Sequence, residues 1–192
     1  MEIFYATTNK GKMNSMQREF DRYGWTVKQL DIDIPEPRSS DVQEIAEHKI
    51  RFVYQQIQKP VLALDAGFYI NSLNGFPRAF VNFALETVGL EGIIKLVEGK
   101  SRKCEFRAAL SYMDQTFEKP KTFISQTKGT LSYEPKGIKQ DHHWSELALI
   151  FIPEGSDKTI AEMNKKEYTE WRKISIEKES SARKFVEWFK QR

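Results

Sequence analysis

Short apolar runs and amphipathic stretches take turns along this chain. Glu2-Ile-Phe-Tyr-Ala6 reads as a strand and Thr7 to Lys12 as a polar loop. Met13, Met16, Phe20 and Tyr23 then recur at helical spacing up to Gly24. A second strand is expected from Trp25 to Ile34, leading into Pro35-Glu36-Pro37. Ser40-Asp41 can cap a helix reaching Gln58, with Val42, Ile45, Ala46, Lys49, Ile50 and Val53 along one side. Val61 to Leu64 reads as a buried strand that stops on Asp65-Ala66-Gly67, and a further apolar segment meets the turn signal Asn74-Gly75-Phe76-Pro77. Leu85 to Val97 is expected to be one amphipathic helix. Cys104 to Met113 and Lys121 to Lys128 read as paired strands, the second extended by Gly129 to Tyr133. Glu134 to Trp144 is loop-like, Leu147 to Ile152 strand-like, and the segment after Met163 a charged helix. Ser180 to Lys190 closes the chain as a helix with Ala182, Phe185, Val186 and Phe189 on one face. With no repeat, low-complexity tract or linker, residues 1–192 are expected to form a single domain.

Chemistry gathers at a few of these places. Where a strand leaves the core of an open α/β sheet, ligand crevices form, and Asp65 is expected there, although a lone Asp-x-Gly serves equally as a turn cap. The strand–loop–helix at Thr7 to Lys12 suits an anion. Helix-start amides point outward, the dipole favours negative charge, and Asn9, Lys10 and Lys12 add side chains. Gly-x4-Gly-Lys spacing is absent, so this is not a Walker loop. Glu36 stands in a stiff extended segment between prolines, which suits a base or a metal ligand and is also ordinary loop composition. Lys49 sits among apolar positions, so its ammonium reaches either a crevice or solvent. Adjacent His142 and His143, with no cysteine or third histidine nearby, read as surface loop rather than zinc ligands. No G-x-S-x-G or G-x-G-x-x-G is present, which removes hydrolase-elbow and dinucleotide chemistry.

Composition narrows the classes further. The formal charge of +3, from 30 basic and 27 acidic residues, is too balanced to argue for nucleic acid. A single cysteine, Cys104, rules out an internal disulfide framework and reads as buried core. The opening residues lack a basic and apolar leader pattern, and no apolar stretch approaches the length of a membrane span. A cytoplasmic location is expected.

Taken together, Ala6-Thr-Thr-Asn9-Lys-Gly-Lys12, Leu64-Asp65-Ala-Gly67, Leu73-Asn-Gly-Phe-Pro77, Gly89-Leu-Glu-Gly92, Phe151-Ile-Pro-Glu-Gly155 and Thr159-Ile-Ala-Glu-Met163 resemble the inosine/xanthosine triphosphate pyrophosphatase family, in order and over nearly the whole chain. The resemblance implies an α/β fold with a long mixed β-sheet, flanking helices and two lobes around a central nucleotide cleft. It also implies a homodimer and Mg²⁺-dependent attack of water on the α-phosphorus of a non-standard purine nucleoside triphosphate, releasing pyrophosphate. By similarity, Thr8, Asn9 and Lys12 match the phosphate-binding loop and Lys49 the helix lysine near the phosphates. Glu36 matches the metal-associated carboxylate, and Asp65 the catalytic acid of the family's Asp-Ser-Gly, which also holds metal. Gly67 is the glycine of that motif.

The sequence departs from the family at the base-binding end. Asp-Ser-Gly has become Asp65-Ala66-Gly67, and Arg78 follows Gly-Phe-Pro where the family has a small residue. The family's Phe-Gly-aromatic-Asp-Pro is replaced by Trp144-Ser-Glu-Leu-Ala-Leu149, and its Ser-His-Arg by Ile176-Glu177-Lys178. Trp144 can stack on a base and equally reads as a core or rim tryptophan. The expected activity is therefore nucleoside triphosphate pyrophosphohydrolysis with altered base preference. The alternatives are the ordinary inosine/xanthosine activity, with Trp144, Arg172, Lys173 or Lys178 supplying substitute contacts, and a non-catalytic relative that binds nucleotide or a protein partner.

Overall fold

Alternation along the first strands decides how the helices pack. The computed structural model describes residues 2–35, 37–176 and 179–192. β1 (Glu2–Ala6) lies between β2 (Thr26–Leu30) and β3 (Val61–Ile70), parallel to both. Tyr5 and Leu62 are buried with Met16 and Phe20 of α1 (Lys10–Asp21) and with Phe185 and Val186 of α6 (Ser181–Phe189). Their neighbours Ala6, Val61 and Ala63 are buried instead with Ile50 and Val53 of α2 (Val42–Ile57). Successive strand residues face opposite sides, so helices cover both faces of this part of the sheet.

The remaining strands are β4 (Pro77–Arg78), antiparallel to β3, β5 (Lys103–Met113), β6 (Lys121–Leu131), and β7 (Phe151–Pro153), antiparallel to β6. The order is β2-β1-β3-β5-β6-β7 with β4 on β3, an open mixed sheet of seven strands among the described residues. Packing divides the chain into two compact units. One comprises Met1–Ala66, Ala108–Ser125 and Glu179–Arg192, the other Gly67–Arg107 and Gln126–Lys178. The second unit has its own core of Phe68, Ile70, Ile93, Val97, Leu147, Ile150 and Phe151. Cys104 is buried there as expected, and burial pushes its thiol pKa up, away from reactivity.

Several elements differ from the expectation for local reasons. β3 does not stop at Asp65 but continues to Ile70, because pairing of Phe68 and Tyr69 with β4 carries the strand through Ala-Gly. β2 ends at Leu30, not Ile34, since its partner β1 ends at Ala6, the residue paired with Leu30. Ile32 and Ile34 still pack against the α2 side without a ladder. The single helix expected from Leu85 to Val97 is two, α3 (Val81–Thr87) and α4 (Gly89–Leu96), broken at Gly89, whose φ of +71° does not continue a right-handed helix. Leu147 to Leu149 lies in a 3₁₀ turn, Glu146–Leu149, rather than a strand, because the Ser145 hydroxyl caps the Leu147 N–H and starts a turn. α5 (Lys165–Trp171) begins at Asn164, whose side chain accepts from Lys166 and Glu167 while Glu167 bonds back to the Asn164 N–H.

Candidate active site

The loop after β1 is fixed before any ligand arrives. Thr7 accepts from the Asn9 N–H at 3.1 Å, and Asn9 Oδ1 caps α1 by accepting from the Lys12 N–H at 2.9 Å. From β2, Gln29 donates to the Thr7 carbonyl at 2.8 Å. The oxygen of Asn9 is thus committed to the cap, a role the loop-like reading of Thr7 to Lys12 did not include. Thr8, Asn9, Lys10 and Gly11 remain exposed at the start of a twelve-residue helix, where amide hydrogens and dipole favour an anion.

Two lysines reach consecutive residues of β3. Lys12 Nζ, from α1, donates to the Leu64 carbonyl at 3.4 Å. Lys49 Nζ, from α2, lies 2.9 Å from Asp65 Oδ1, with only 14% and 11% of the two side chains exposed. Lys49 therefore turns toward the strand rather than snorkelling to solvent. Asp65 shares strand parity with Val61 and Ala63, which pack against α2, so the register of β3 delivers its carboxylate to the lysine. A pair this sheltered is strongly interdependent, because removing either partner strands a charge in poor solvent.

Tyr5 was not singled out by the sequence, where it reads as ordinary core. It is buried, its hydroxyl has no hydrogen-bond partner among the described residues, and its pKa is raised first by burial and then by the charge of Asp65. Gln29 was also missed; a lone glutamine in a strand carries no signal of loop support.

In the second unit, Gly67 is dictated by packing. A Cβ there would come within 2.5 Å of the Arg78 carbonyl oxygen. Arg78, where the family has a small residue, holds a left-handed φ of +56° and donates to the Asn74 carbonyl at 3.0 Å. Trp144 is 46% exposed, with its ring 5.6 Å from Phe106 and 6.4 Å from Trp171. His143, expected in a surface loop, is instead buried, its ring tilted against that of Tyr168 with centroids 5.6 Å apart. Glu36 and Lys178 lie outside the described residues.

Among the described residues no three His, Cys, Asp or Glu side chains gather as a cation site. The carboxylates that the sequence offers, Asp65 and Glu36, are hard oxygen donors. Mg²⁺ is commonly held by one or two carboxylates together with phosphate oxygens and water, so this donor set fits it.

Comparison with known proteins gives a consistent result. The sequence pattern of the Ham1 family matches residues 3–188. A dITP/XTP pyrophosphatase of Methanopyrus kandleri is 36% identical over 99% of this chain and 97% of its own. One of Thermococcus kodakarensis is 31% identical over 100% and 98%. Among solved structures, a HAM1 protein from Coxiella burnetii superposes with a TM-score of 0.81 at 20% identity, covering 100% of both chains. The Staphylococcus aureus Ham1 protein superposes at 0.78 and 23%, covering 100% of this chain and 98% of the other. At these identities the structures speak for the fold.

Proposed function

Because the chain belongs to the Ham1 family, we propose that it is a nucleoside triphosphate pyrophosphatase, hydrolysing a non-standard purine nucleoside triphosphate to the monophosphate and pyrophosphate. The observation that carries this is the convergence of Lys12 and Lys49 on Leu64 and Asp65 of β3. A triphosphate carries up to four negative charges. It needs cations and oriented amides, and the attacking water needs a base. The α1 start with Thr8, Asn9 and Lys12 supplies the first, and Asp65, with Oδ1 2.9 Å from Lys49 Nζ, the second. Lys49 has two tasks in this scheme, neutralising Asp65 and meeting phosphate oxygen. The names of the relatives point to deoxyinosine and xanthosine triphosphates as the substrates to try first.

Mg²⁺ belongs to the same proposal, held by Asp65 and Glu36; when bound it would offset charge on the phosphates. Pairing into a homodimer and a cytoplasmic location are supported by the family resemblance and the single reduced-type cysteine. The altered base preference is supported by the rewritten segment around Trp144.

Replacement of Asp65 tests the assignment. Asp65→Asn keeps the shape and removes the base. Turnover of xanthosine triphosphate, followed as pyrophosphate release, is expected to fall by about 10²–10⁴-fold with the circular dichroism spectrum unchanged. Near-normal turnover in that variant sinks the role of Asp65.

A further inference from the structure

The peptide groups that lead from β1 into α1 are held by different means. The Thr7 N–H donates to the Leu30 carbonyl at 3.1 Å, which continues the β1–β2 ladder by one step. The Asn9 N–H is taken by Thr7 Oγ1 at 3.1 Å and the Asn9 carbonyl by the Met13 N–H at 3.0 Å. The amides of Lys10 and Gly11 belong to the first turn of α1, so the helix itself aims them outward. The peptide between Thr7 and Thr8 has none of these supports. Among the described residues its one bond comes from a side chain: Gln29, paired opposite Tyr5 on β2, reaches forward and donates to the Thr7 carbonyl at 2.8 Å. The Thr8 N–H has no acceptor among the described residues, and Thr8 is exposed.

That bond fixes a direction. A trans peptide sets its C=O and N–H on opposite sides, so a Thr7 carbonyl turned toward β2 turns the Thr8 N–H away from it. The neighbour of β1 on that other side is β3, where Lys12 Nζ meets the Leu64 carbonyl and Lys49 meets Asp65. With the Gln29 bond lost, this exposed peptide is free to turn over. It would then offer a carbonyl oxygen where it now offers an N–H, and an anion is drawn to the second and repelled by the first. We propose that Gln29 is a positioning residue of the triphosphate site, which holds the Thr7 carbonyl back so that the Thr8 N–H faces the phosphates. The role rests on the phosphate assignment above and adds to it a residue that touches no substrate. Gln29 is exposed, so losing its bond costs the folded chain little, while the anion loses an oriented donor.

The test titrates the ¹⁵N-labelled full chain with inorganic tripolyphosphate, which has neither base nor sugar, and follows the amide resonances. Two variants are compared with wild type. Gln29→Met keeps the length of the side chain and removes the donor; Gln29→Glu sets an acceptor against the Thr7 carbonyl. In wild type the Thr8 amide proton is expected to move downfield on binding, as a donor to a phosphate oxygen does. Gln29→Met is expected to bind tripolyphosphate about tenfold more weakly, and Gln29→Glu at least as weakly. Both are expected to lose the downfield shift at Thr8, keep the shifts at Lys10 and Gly11, and unfold at the wild-type temperature. Unchanged affinity in both variants overturns the proposal, as does a loss of affinity with the Thr8 shift intact. Equal loss of all three shifts with a lower unfolding temperature overturns it too, because Gln29 would then support the fold rather than one peptide. Wild type that binds with no shift at Thr8 removes the role of Gln29 and leaves the phosphate assignment standing; wild type that does not bind tripolyphosphate removes both.

Discussion

Asp65 and Lys49 illustrate what single residues contribute. The sequence offered an acid at a strand end and a lysine among apolar helix positions, each with an ordinary alternative. The 2.9 Å bond between them removes the alternatives, since a snorkelling lysine or a turn-capping aspartate would not meet inside β3 and α2. His143 was misread for an equally local reason: a histidine pair in a polar segment gives no hint that one ring turns inward. Its burial makes the molecule pH-sensitive. Burial first, then the charges of His142 and Lys139, hold its pKa below the usual value. The unfolded chain therefore binds this proton more readily than the folded one, so stability is complete above about pH 6.5 and falls as pH drops through the lowered native value. Protonation also places a hydrogen on Nδ1, against the Gln140 N–H that it accepts from. The stability advantage of wild type over His143→Phe in urea is expected to shrink between pH 7.5 and 5.5. A constant difference would mean that the ring stays neutral throughout.

At the level of elements, periodicity was a good guide where one face is buried, as in α2 with its Asp41 cap, which accepts from Gln43 and Glu44. It failed where pairing or a special backbone overrides it. Asp65-Ala66-Gly67 looks like punctuation, yet the strand runs through it because β4 pairs beyond. Gly67 is the visible trace of that pairing: its missing side chain leaves room for the Arg78 carbonyl, 2.5 Å from where Cβ would stand. Backbone atoms on both sides leave little freedom to yield. Gly67→Ala is expected to cost about 1–3 kcal/mol in unfolding free energy, typical of an overpacked site. A neutral change would show that β4 slides away easily.

For the whole molecule, family motifs in order carried the fold, and the seven-strand mixed sheet agrees with them. The candidate residues of the proposed phosphate end, at β1–α1, α2 and β3, stood out in the sequence because they are charged residues next to apolar runs. The segments around Trp144 and Arg172 were harder to read, because they no longer follow the family pattern. Among the described residues no helix is long and apolar enough to cross a membrane. In the proposed reaction, water attacks the α-phosphorus and pyrophosphate leaves whole. Hydrolysis of xanthosine triphosphate with Mg²⁺ in ¹⁸O-water, read by ³¹P NMR, tests it most directly. The label is expected in the nucleoside monophosphate, with unlabelled pyrophosphate in equal amount and no orthophosphate. Label in orthophosphate, or in the pyrophosphate, would place the attack at another phosphorus and overturn the proposed reaction.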